Sequence, residues 1–419
     1  MQKLLIKGKR EILGKISISG SKNATLPILA ASILANKKVK LKNIPLVQDI
    51  FTMLELLKFI GLNIKIKKKK NFIEIEHTEK KINTLAPYKL VKTMRAGVLV
   101  LGSLLGKYGK AKVSLPGGCA IGSRPVDLHL FALKKLGAKI KIKNGYILAE
   151  AKIGLKGAVI KFPSVSVGAT ENALLAAFTA KGKTILKNCA IEPEIKDLIL
   201  FLQKLGGKIK ISGRTINIGE GKFKKKSISH EIIFDRIETG TYMIASALIG
   251  KKVILDKIDP NIIKSEMNIL KKMGVKIKQD SKSITIQKST NIKKANVVTR
   301  PYPGFPTDLQ AQLMVLMTQA NGLSKISENI FENRFMHVPE LRRMGAKIKI
   351  KNKTAFIEGP TKLTGAEVMA TDLRASVSLV LAGLIAENRT IINRIYHLDR
   401  GYEFLETKLK KCKAKIKRI

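Results

Sequence analysis

One pattern recurs six times along this chain, and a repeat of that kind restricts the folds that the chain can adopt. Each copy reads as the last turn of an amphipathic helix, usually a glycine stop, and then a strand that alternates apolar and basic residues. The starts of the copies lie roughly 70 residues apart. The six copies are Leu57–Ile66, Leu133–Ile142, Leu202–Ile211, Leu270–Gln279, Leu341–Ile350 and Leu409–Arg418.

A second shared unit precedes each copy, in which a short strand follows an apolar helix such as Ala24–Leu34 or Leu373–Ile385. These strands are predicted at Lys38–Leu41, Lys112–Leu115, Thr184–Leu186, Val253–Leu255, Lys325–Ile326 and Thr390–Ile392. A unit of this size cannot bury its own sheet and helices, so the copies must pack on one another. Because 419 residues exceed what one hydrophobic core usually supports, we expect a mixed α/β fold with two domains of three copies each. A helical or β/α solenoid is the alternative.

Composition favours a water-soluble protein with reduced thiols. Apolar residues make up 45% of the chain, enough for two cores, and no apolar stretch reaches the roughly 20 residues of a membrane span. The three cysteines, Cys119, Cys189 and Cys412, show neither CxxC nor Cys/His ligand spacing. We therefore expect a cytoplasmic monomer without a disulfide, metal, cofactor or membrane attachment.

The formal charge of +48 raises nucleic-acid binding as a function from a different class. The basic residues are spread along the whole chain, however, and aromatic residues, which stack on bases, are only 5% of it. Most of the cations are lysines, whereas arginines are few, and five of them, Arg95, Arg124, Arg334, Arg374 and Arg400, fall in the motifs given below. We expect no nucleic-acid partner.

The segment Ser114–His129 contains Cys119 in a glycine-framed loop close to Arg124. Gly117 and Gly118 permit backbone conformations that other residues resist and leave room for a substrate. A guanidinium nearby favours thiolate and attracts anions, so Cys119 can serve as a proton donor or a nucleophile. The alternative is a small buried side chain in a structural turn.

Seven further motifs resemble those of the enolpyruvyl transferase family and occur in the order in which that family has them. The loop that contains Cys119 resembles the branch of the family that acts on UDP-N-acetylglucosamine. The motifs are Gly20–Asn23, Met94–Ala96, Asp235–Gly240, Pro303–Asp308, Phe331–Phe335, Thr371–Ala375 and His397–Tyr402. The resemblance implies two similar inside-out α/β barrel domains, with helices inside and sheets outside, spanning residues 21–232 and residues 1–20 plus 233–419. The chain would cross between them near Gly20–Ser21 and Ile233–Asp235, and the site would lie in the cleft. The sister branch, 5-enolpyruvylshikimate-3-phosphate synthase, is the nearest alternative.

The resemblance also assigns roles. The implied reaction transfers the enolpyruvyl group of phosphoenolpyruvate to UDP-N-acetylglucosamine, with Cys119 as general acid and Asp308 as general base; Lys22 and Arg400 also take part in catalysis. Phosphoenolpyruvate would be held on its phosphate side by Lys22, Arg124 and Arg400 and on its carboxylate side by Arg334, Arg374 and Arg400, with Asn23 beside it. The implied contacts to the nucleotide sugar are Asn23, Arg95, Arg124, Pro125, Val126, Asp127, Leu128, Val165, Ser166, Val167, Gly168, Asp308 and Ile330.

Several of these positions have a second interpretation. Asp308 precedes an apolar helix and could cap it, and Val165–Gly168 could be a strand-to-helix turn. Two positions depart from some family members: Ser164 replaces a lysine beside the diphosphate, and Leu99 replaces a tryptophan near the nucleotide. The segment Asp235–Glu238 reads as structural ion pairing.

Overall fold

The computed structural model describes residues 2–67, 71–77, 82–117, 126–221 and 227–419. These residues form two compact units. Unit 1 contains residues 2–19 and 234–419, and unit 2 lies within residues 20–233. The chain passes from one unit to the other between Ser19 and Gly20 and between Ile233 and Phe234.

The strands of the described residues are short and mostly alternate buried and exposed positions. Those of unit 2 are β3 (Val39–Lys42), β4 (Leu62–Lys67), β5 (Phe72–His77), β6 (Leu85–Ala86), β7 (Lys110–Ser114), β8 (Lys139–Lys143), β9 (Tyr146–Glu150), β10 (Val159–Lys161), β11 (Thr184–Lys187), β12 (Lys208–Ser212), β13 (Thr215–Gly219) and β14 (Ile228–Glu231). Those of unit 1 are β1 (Leu4–Lys7), β2 (Ile12–Ser17), β15 (Gly250–Asp256), β16 (Ile277–Gln279), β17 (Ser283–Ile286), β18 (Ile292–Lys293), β19 (Asn296–Val298), β20 (Ala320–Ser327), β21 (Lys347–Lys351), β22 (Thr354–Gly359), β23 (Glu367–Met369), β24 (Arg389–Asn393) and β25 (Lys415–Arg418).

The helices fall into a buried, largely apolar set and an amphipathic set. Those of unit 2 are α1 (Lys22–Ala31), α2 (Gln48–Ile60), α3 (Tyr88–Val91), α4 (Val100–Tyr108), α5 (Asp127–Lys135), α6 (Val167–Ala177) and α7 (Pro193–Leu205). Those of unit 1 are α8 (Arg236–Ile249), α9 (Lys264–Lys272), α10 (Gln310–Met317), α11 (Val338–Arg343), α12 (Leu373–Ile385), α13 (Tyr396–Asp399) and α14 (Leu405–Lys411). None of the helices in the described ranges is long and apolar enough to cross a membrane.

The six sheets formed by the described residues share one plan, which is the structural form of the sixfold repeat. In each, a parallel strand lies beside a central strand, and two further strands continue the sheet in antiparallel pairing; in five of these sheets the two strands form a hairpin, and the order β10-β11-β13-β12 is one example. The first sheet of each unit takes its parallel strand from a distant part of the chain, β14 beside β3 and β2 beside β15. The last sheet takes β1 between β24 and β25.

The predicted helix stops are confirmed by the backbone. Gly61, the first of five glycines at this place in the repeat, ends α2 at a φ of 116°, in the left-handed region that favours glycine. The other four are Gly137, Gly206, Gly274 and Gly345, all with positive φ. The sixth copy has Lys413 instead, and this lysine adopts a φ of 71°.

The apolar helices form the centre of each unit. Helices α1, α4 and α6 pack together in unit 2, and α8, α10 and α12 pack together in unit 1. Nearly every residue of these six helices is buried, whereas the strands expose lysines on their outer faces. The predicted arrangement of helices inside and sheets outside is therefore confirmed for each unit.

Candidate active site

Three residues that are far apart in the sequence meet around one carboxylate in unit 1. Arg334 Nη2 donates to Asp308 Oδ1 at 2.7 Å, and Arg374 Nη2 donates to Asp308 Oδ2 at 2.7 Å. Arg334 is 4% exposed and Arg374 is 6% exposed, whereas the side chain of Asp308 is 25% exposed. The arrangement is a partly open carboxylate between two buried guanidinium groups.

Each of the three residues lies near the beginning of a helix. Asp308 is in the 3₁₀ turn Thr307–Leu309 that leads into α10, Arg334 precedes α11, and Arg374 is the second residue of α12. Asp372 caps α12 by accepting from the amides of Arg374 and Ala375 at 2.7 and 3.0 Å. Asp308 does not act as a helix cap, because its 3₁₀ turn has no side-chain cap and its carboxylate accepts from the two arginines instead.

The environment of Arg374 keeps it charged although it is buried. Burial by itself lowers the pKa of a guanidinium, but the charges of Asp308, Tyr402 and Asp235 raise it, and the net shift of the Arg374 pKa is upward. A buried cation of this kind needs an anionic partner at all times. Asp308 supplies one in the structure.

The hydroxyl of Tyr402 joins the three central helices of unit 1. Arg374 Nη1 on α12 and Gln312 Nε2 on α10 each donate to it at 3.2 Å, and Thr241 Oγ1 on α8 lies 2.8 Å away. Gln312 Nε2 also donates to the main-chain oxygen of Asp308 at 2.9 Å. Tyr402, which is 3% exposed, therefore connects the helix that carries Arg374 to the turn that carries Asp308.

Arg400 and Ile330 are two further predicted site residues of unit 1, and both are half-buried. Arg400 is half-buried at the end of α13; burial and then the charge of Arg400 lower the pKa of His397. Ile330 is half-buried in the segment that follows β20. The predicted ion pairing at Asp235–Glu238 is present, since Glu238 pairs with Lys408 at 2.6 Å.

In unit 2, Lys22 opens α1 with its side chain buried. Its Nζ donates to Asp49 Oδ2 at 3.2 Å, and Asn23 beside it is half-buried. A cation at a helix N-terminus opposes the helix dipole, and the same helix end favours a bound anion. A buried lysine in this position is therefore suited to a ligand that carries several negative charges.

A second group in unit 2 surrounds a buried neutral histidine. Burial, and then the charge of Arg95, lower the pKa of His129 to about 3. Asn172 Nδ2 lies 3.1 Å from His129 Nδ1, so this neutral ring accepts there and carries its proton on Nε2. A Cβ on Gly168 would lie 3.1 Å from His129 Cε1, so the imidazole packs closely against the start of α6.

The remaining predicted contacts of unit 2 lie at helix beginnings. Val126 is buried, Asp127 is exposed and Leu128 is half-buried where α5 begins. In Val165–Gly168, Ser166 caps α6 by accepting from Ala169 N at 3.3 Å, so this segment is a strand-to-helix turn whatever else it binds. Ser164 is exposed, and Leu99 is buried in the core.

Cys119, Arg124 and Pro125 lie outside the described residues. The two other cysteines, Cys189 and Cys412, are buried free thiols. Burial raises the pKa of Cys189 to about 12 and raises that of Cys412. Neither is suited to reaction as a thiolate.

Tyr402, Gln312 and His129 are three residues of these groups for which the sequence predicts no role. Tyr402 lies at the end of the motif His397–Tyr402, and Gln312 is one of two glutamines in the otherwise apolar helix α10. A polar side chain in a fully buried helix signals a specific hydrogen-bond partner. The partner itself is a long-range contact that spacing does not predict.

The sequence is similar to known enzymes over its whole length. The family model described as EPSP synthase (3-phosphoshikimate 1-carboxyvinyltransferase) matches residues 6–409. The chain is 60% identical to the UDP-N-acetylglucosamine 1-carboxyvinyltransferase of Pelagibacter ubique and 51% identical to those of Endomicrobium trichonymphae and Rickettsia prowazekii. Each of these three comparisons covers 100% of both chains.

Solved structures share the fold. The enolpyruvyl transferase NikO from Streptomyces tendae matches with a TM-score of 0.88 at 23% identity, covering 100% of this chain and 98% of that one. An EPSP synthase from Acinetobacter baumannii matches with a TM-score of 0.77 at 18% identity, covering 100% of both chains.

Proposed function

Since the chain belongs to the enolpyruvyl transferase family, we propose that it transfers the enolpyruvyl group of phosphoenolpyruvate to the 3'-hydroxyl of UDP-N-acetylglucosamine and releases phosphate. The product of that reaction is committed to peptidoglycan synthesis. Relatives at 50–60% identity that are named for this acceptor support the assignment, whereas the shikimate enzyme among the solved structures is only 18% identical.

The observation that carries the proposal is the pairing of Asp308 with Arg334 and Arg374. Two buried guanidinium groups that both face one carboxylate form a site for a planar anion. Phosphoenolpyruvate has such a carboxylate on the carbon that reacts. Its carboxylate competes with Asp308 for the two arginines, and binding then releases Asp308 to accept a proton.

The reaction needs two proton transfers in its first stage. Cys119 donates a proton to the methylene carbon of phosphoenolpyruvate, while the 3'-oxygen of the sugar forms a bond to the adjacent carbon. Asp308 takes the proton of that hydroxyl. The result is a tetrahedral intermediate that carries carboxylate, phosphate and the sugar oxygen on one carbon.

The second stage restores the double bond. The bond from that carbon to the phosphate oxygen breaks, the methyl group returns a proton to the thiolate of Cys119, and inorganic phosphate leaves with the electron pair and takes up the proton from Asp308. Lys22, Arg124 and Arg400 stabilise the charge on the departing phosphate. The guanidinium groups of Arg334 and Arg374 hold the carboxylate throughout.

The nucleotide sugar is proposed to contact the helix beginnings of unit 2. Arg95, Asn23, Val126–Leu128 and Val165–Gly168 supply a cation, an amide and main-chain N–H groups for a diphosphate and its sugar. We further propose that the protein acts as a cytoplasmic monomer, on two small molecules and without nucleic acid.

Phosphate release from phosphoenolpyruvate tests the proposal directly. Release is expected with UDP-N-acetylglucosamine as acceptor and not with shikimate 3-phosphate. Release only with shikimate 3-phosphate would assign the chain to the sister activity. Release with neither acceptor, together with tight and sequence-selective binding of duplex DNA at physiological salt, would favour the nucleic-acid-binding class.

A further inference from the structure

Glu328 is a buried carboxylate that none of the proposed roles uses. It follows β20, is 2% exposed, and its own amide donates to Lys353 O at 2.8 Å. Its Oε1 accepts from Thr299 Oγ1 at 3.0 Å and from the amides of Ile330 and Phe331 at 2.8 and 3.1 Å. Its Oε2 accepts from Thr307 Oγ1 at 2.8 Å. A carboxylate with four donors is well satisfied despite its burial.

Three of those donors, Thr307, Ile330 and Phe331, lie in the two segments that carry the acidic and basic residues of the site. Thr307 directly precedes Asp308, and Phe331 lies three residues before Arg334. The guanidinium of Arg334 lies 5.2 Å from the centre of the Phe331 ring. Because Arg334 also binds Asp308, the contacts form a closed circuit from Glu328 through Thr307, Asp308, Arg334 and Phe331 back to Glu328.

We propose that Glu328 is a positioning residue that fixes the distance between Asp308 and Arg334 and the placement of Ile330. This role rests on the proposed function, in which Asp308 is the base, Arg334 holds the carboxylate and Ile330 contacts the nucleotide sugar. Glu328 touches no substrate and acts through the two segments. A carboxylate suits this place because its two oxygens offer about four acceptor sites, enough for the donors of both segments and Thr299, whereas a hydroxyl oxygen offers two.

Two matched threonine variants separate positioning from simple support of the fold. Thr307→Val removes the hydrogen bond on the Asp308 side of the circuit, whereas Thr299→Val removes one from the same carboxylate on the strand side and also the acceptor of the Asn329 amide. For Thr307→Val we expect kcat to fall about tenfold or more, because small misplacement of a reacting group is costly. For Thr299→Val we expect a similar loss of thermal stability but a kcat within about threefold of the unmodified protein.

Conservative variants complete the series. Thr307→Ser keeps the hydroxyl and is expected to retain kcat within about threefold. In a Glu328→Gln background, Thr307→Val is expected to cost less than it does alone, because both changes act on one contact. Equal losses of kcat in Thr307→Val and Thr299→Val, or full additivity with Glu328→Gln, would overturn the proposal.

A second measurement needs no turnover. Phenylglyoxal labels exposed guanidinium groups, and peptide mass spectrometry gives the labelling rate of Arg334, which is buried against Asp308. Faster labelling of Arg334 in Thr307→Val than in Thr299→Val supports the positioning role, and equal rates contradict it. If the unmodified protein releases no phosphate, the proposed function fails by itself, and the labelling result still decides the role of Glu328.

Discussion

Replacing Tyr402 with phenylalanine tests whether one hydroxyl holds the catalytic end of unit 1 together. The change removes a single oxygen that contacts Arg374, Gln312 and Thr241. Thr241 still donates to Ile237 O, and Gln312 still donates to Asp308 O, so the main loss falls on Arg374. One N–H of a buried guanidinium is then left without this acceptor.

The magnitude follows from the burial of that group. An unsatisfied buried donor costs about 1–3 kcal/mol, and a charged one lies towards the upper end. For a unit of this size about 1 kcal/mol shifts the melting temperature by roughly 2–4 °C, so we expect a fall of about 4–10 °C. Since Arg374 is proposed to bind substrate and transition state alike, the KM for phosphoenolpyruvate should rise about tenfold with kcat nearly unchanged.

The assay combines differential scanning calorimetry with steady-state phosphate release. Tyr396→Phe is the matched control, because Tyr396 lies on α13 of the same unit and is 51% exposed. The control is expected to change the free energy of unfolding by less than about 0.5 kcal/mol. If Tyr402→Phe melts and turns over like the control, the hydroxyl does not hold Arg374 and the reasoning is refuted.

Three other changes give separate tests. Lys413→Gly should stabilise the protein by about 0.5–1 kcal/mol in urea unfolding, because its φ of 71° strains a lysine but not a glycine; an unchanged or lower stability would contradict this. Burial raises the pKa of Glu238 to about 7, above its value of 4.5 in an unfolded chain. The contribution of Glu238 to the free energy of unfolding is therefore complete below about pH 4.5 and is lost as the pH rises through 7. Glu238→Gln should remove that loss, which is on the order of 3 kcal/mol, from the pH profile of unfolding, and a profile that keeps it would exclude Glu238 as its source. An epoxide phosphonate that resembles phosphoenolpyruvate should alkylate Cys119 and spare Cys189 and Cys412, whose burial raises their pKa; peptide mass spectrometry reads this, and modification of either buried thiol would argue against it.

The sixfold repeat was predictable because its signals are local. A glycine stop and an alternating strand require only neighbouring residues, and Gly61 and β4 have the predicted form. Which strand pairs with which is not local: the pairing of β14 with β3, or of β1 with β24 and β25, joins opposite ends of a unit. The pattern alone predicts that these strands exist but gives no partner for them.

In the candidate site, too, local features were predictable from the sequence and long-range contacts were not. Asp308, Arg334 and Arg374 were identified by family resemblance, and their meeting at 2.7 Å is a long-range contact. The capping role that local sequence allowed for Asp308 is wrong, because Asp308 lies inside the 3₁₀ turn Thr307–Leu309, whose N-cap is Pro306. Tyr402 and Glu328 act through partners on other elements, which no motif spacing specifies.

The most direct test of the account is the affinity of phosphoenolpyruvate for Asp308→Ala in the presence of UDP-N-acetylglucosamine. We expect that removing the internal competitor for Arg334 and Arg374 makes phosphoenolpyruvate bind about 10- to 150-fold more tightly, as isothermal titration calorimetry would measure, because one charge-assisted hydrogen bond is worth about 1.5–3 kcal/mol. Phosphate release should fall by about 10²- to 10⁴-fold in the same variant, since the general base is gone. Asp308→Asn, which keeps the size of the side chain, should show the same loss of turnover. Weaker binding of phosphoenolpyruvate to Asp308→Ala, or turnover equal to that of the unmodified protein, would contradict the central claim that these two arginines exchange Asp308 for the substrate carboxylate.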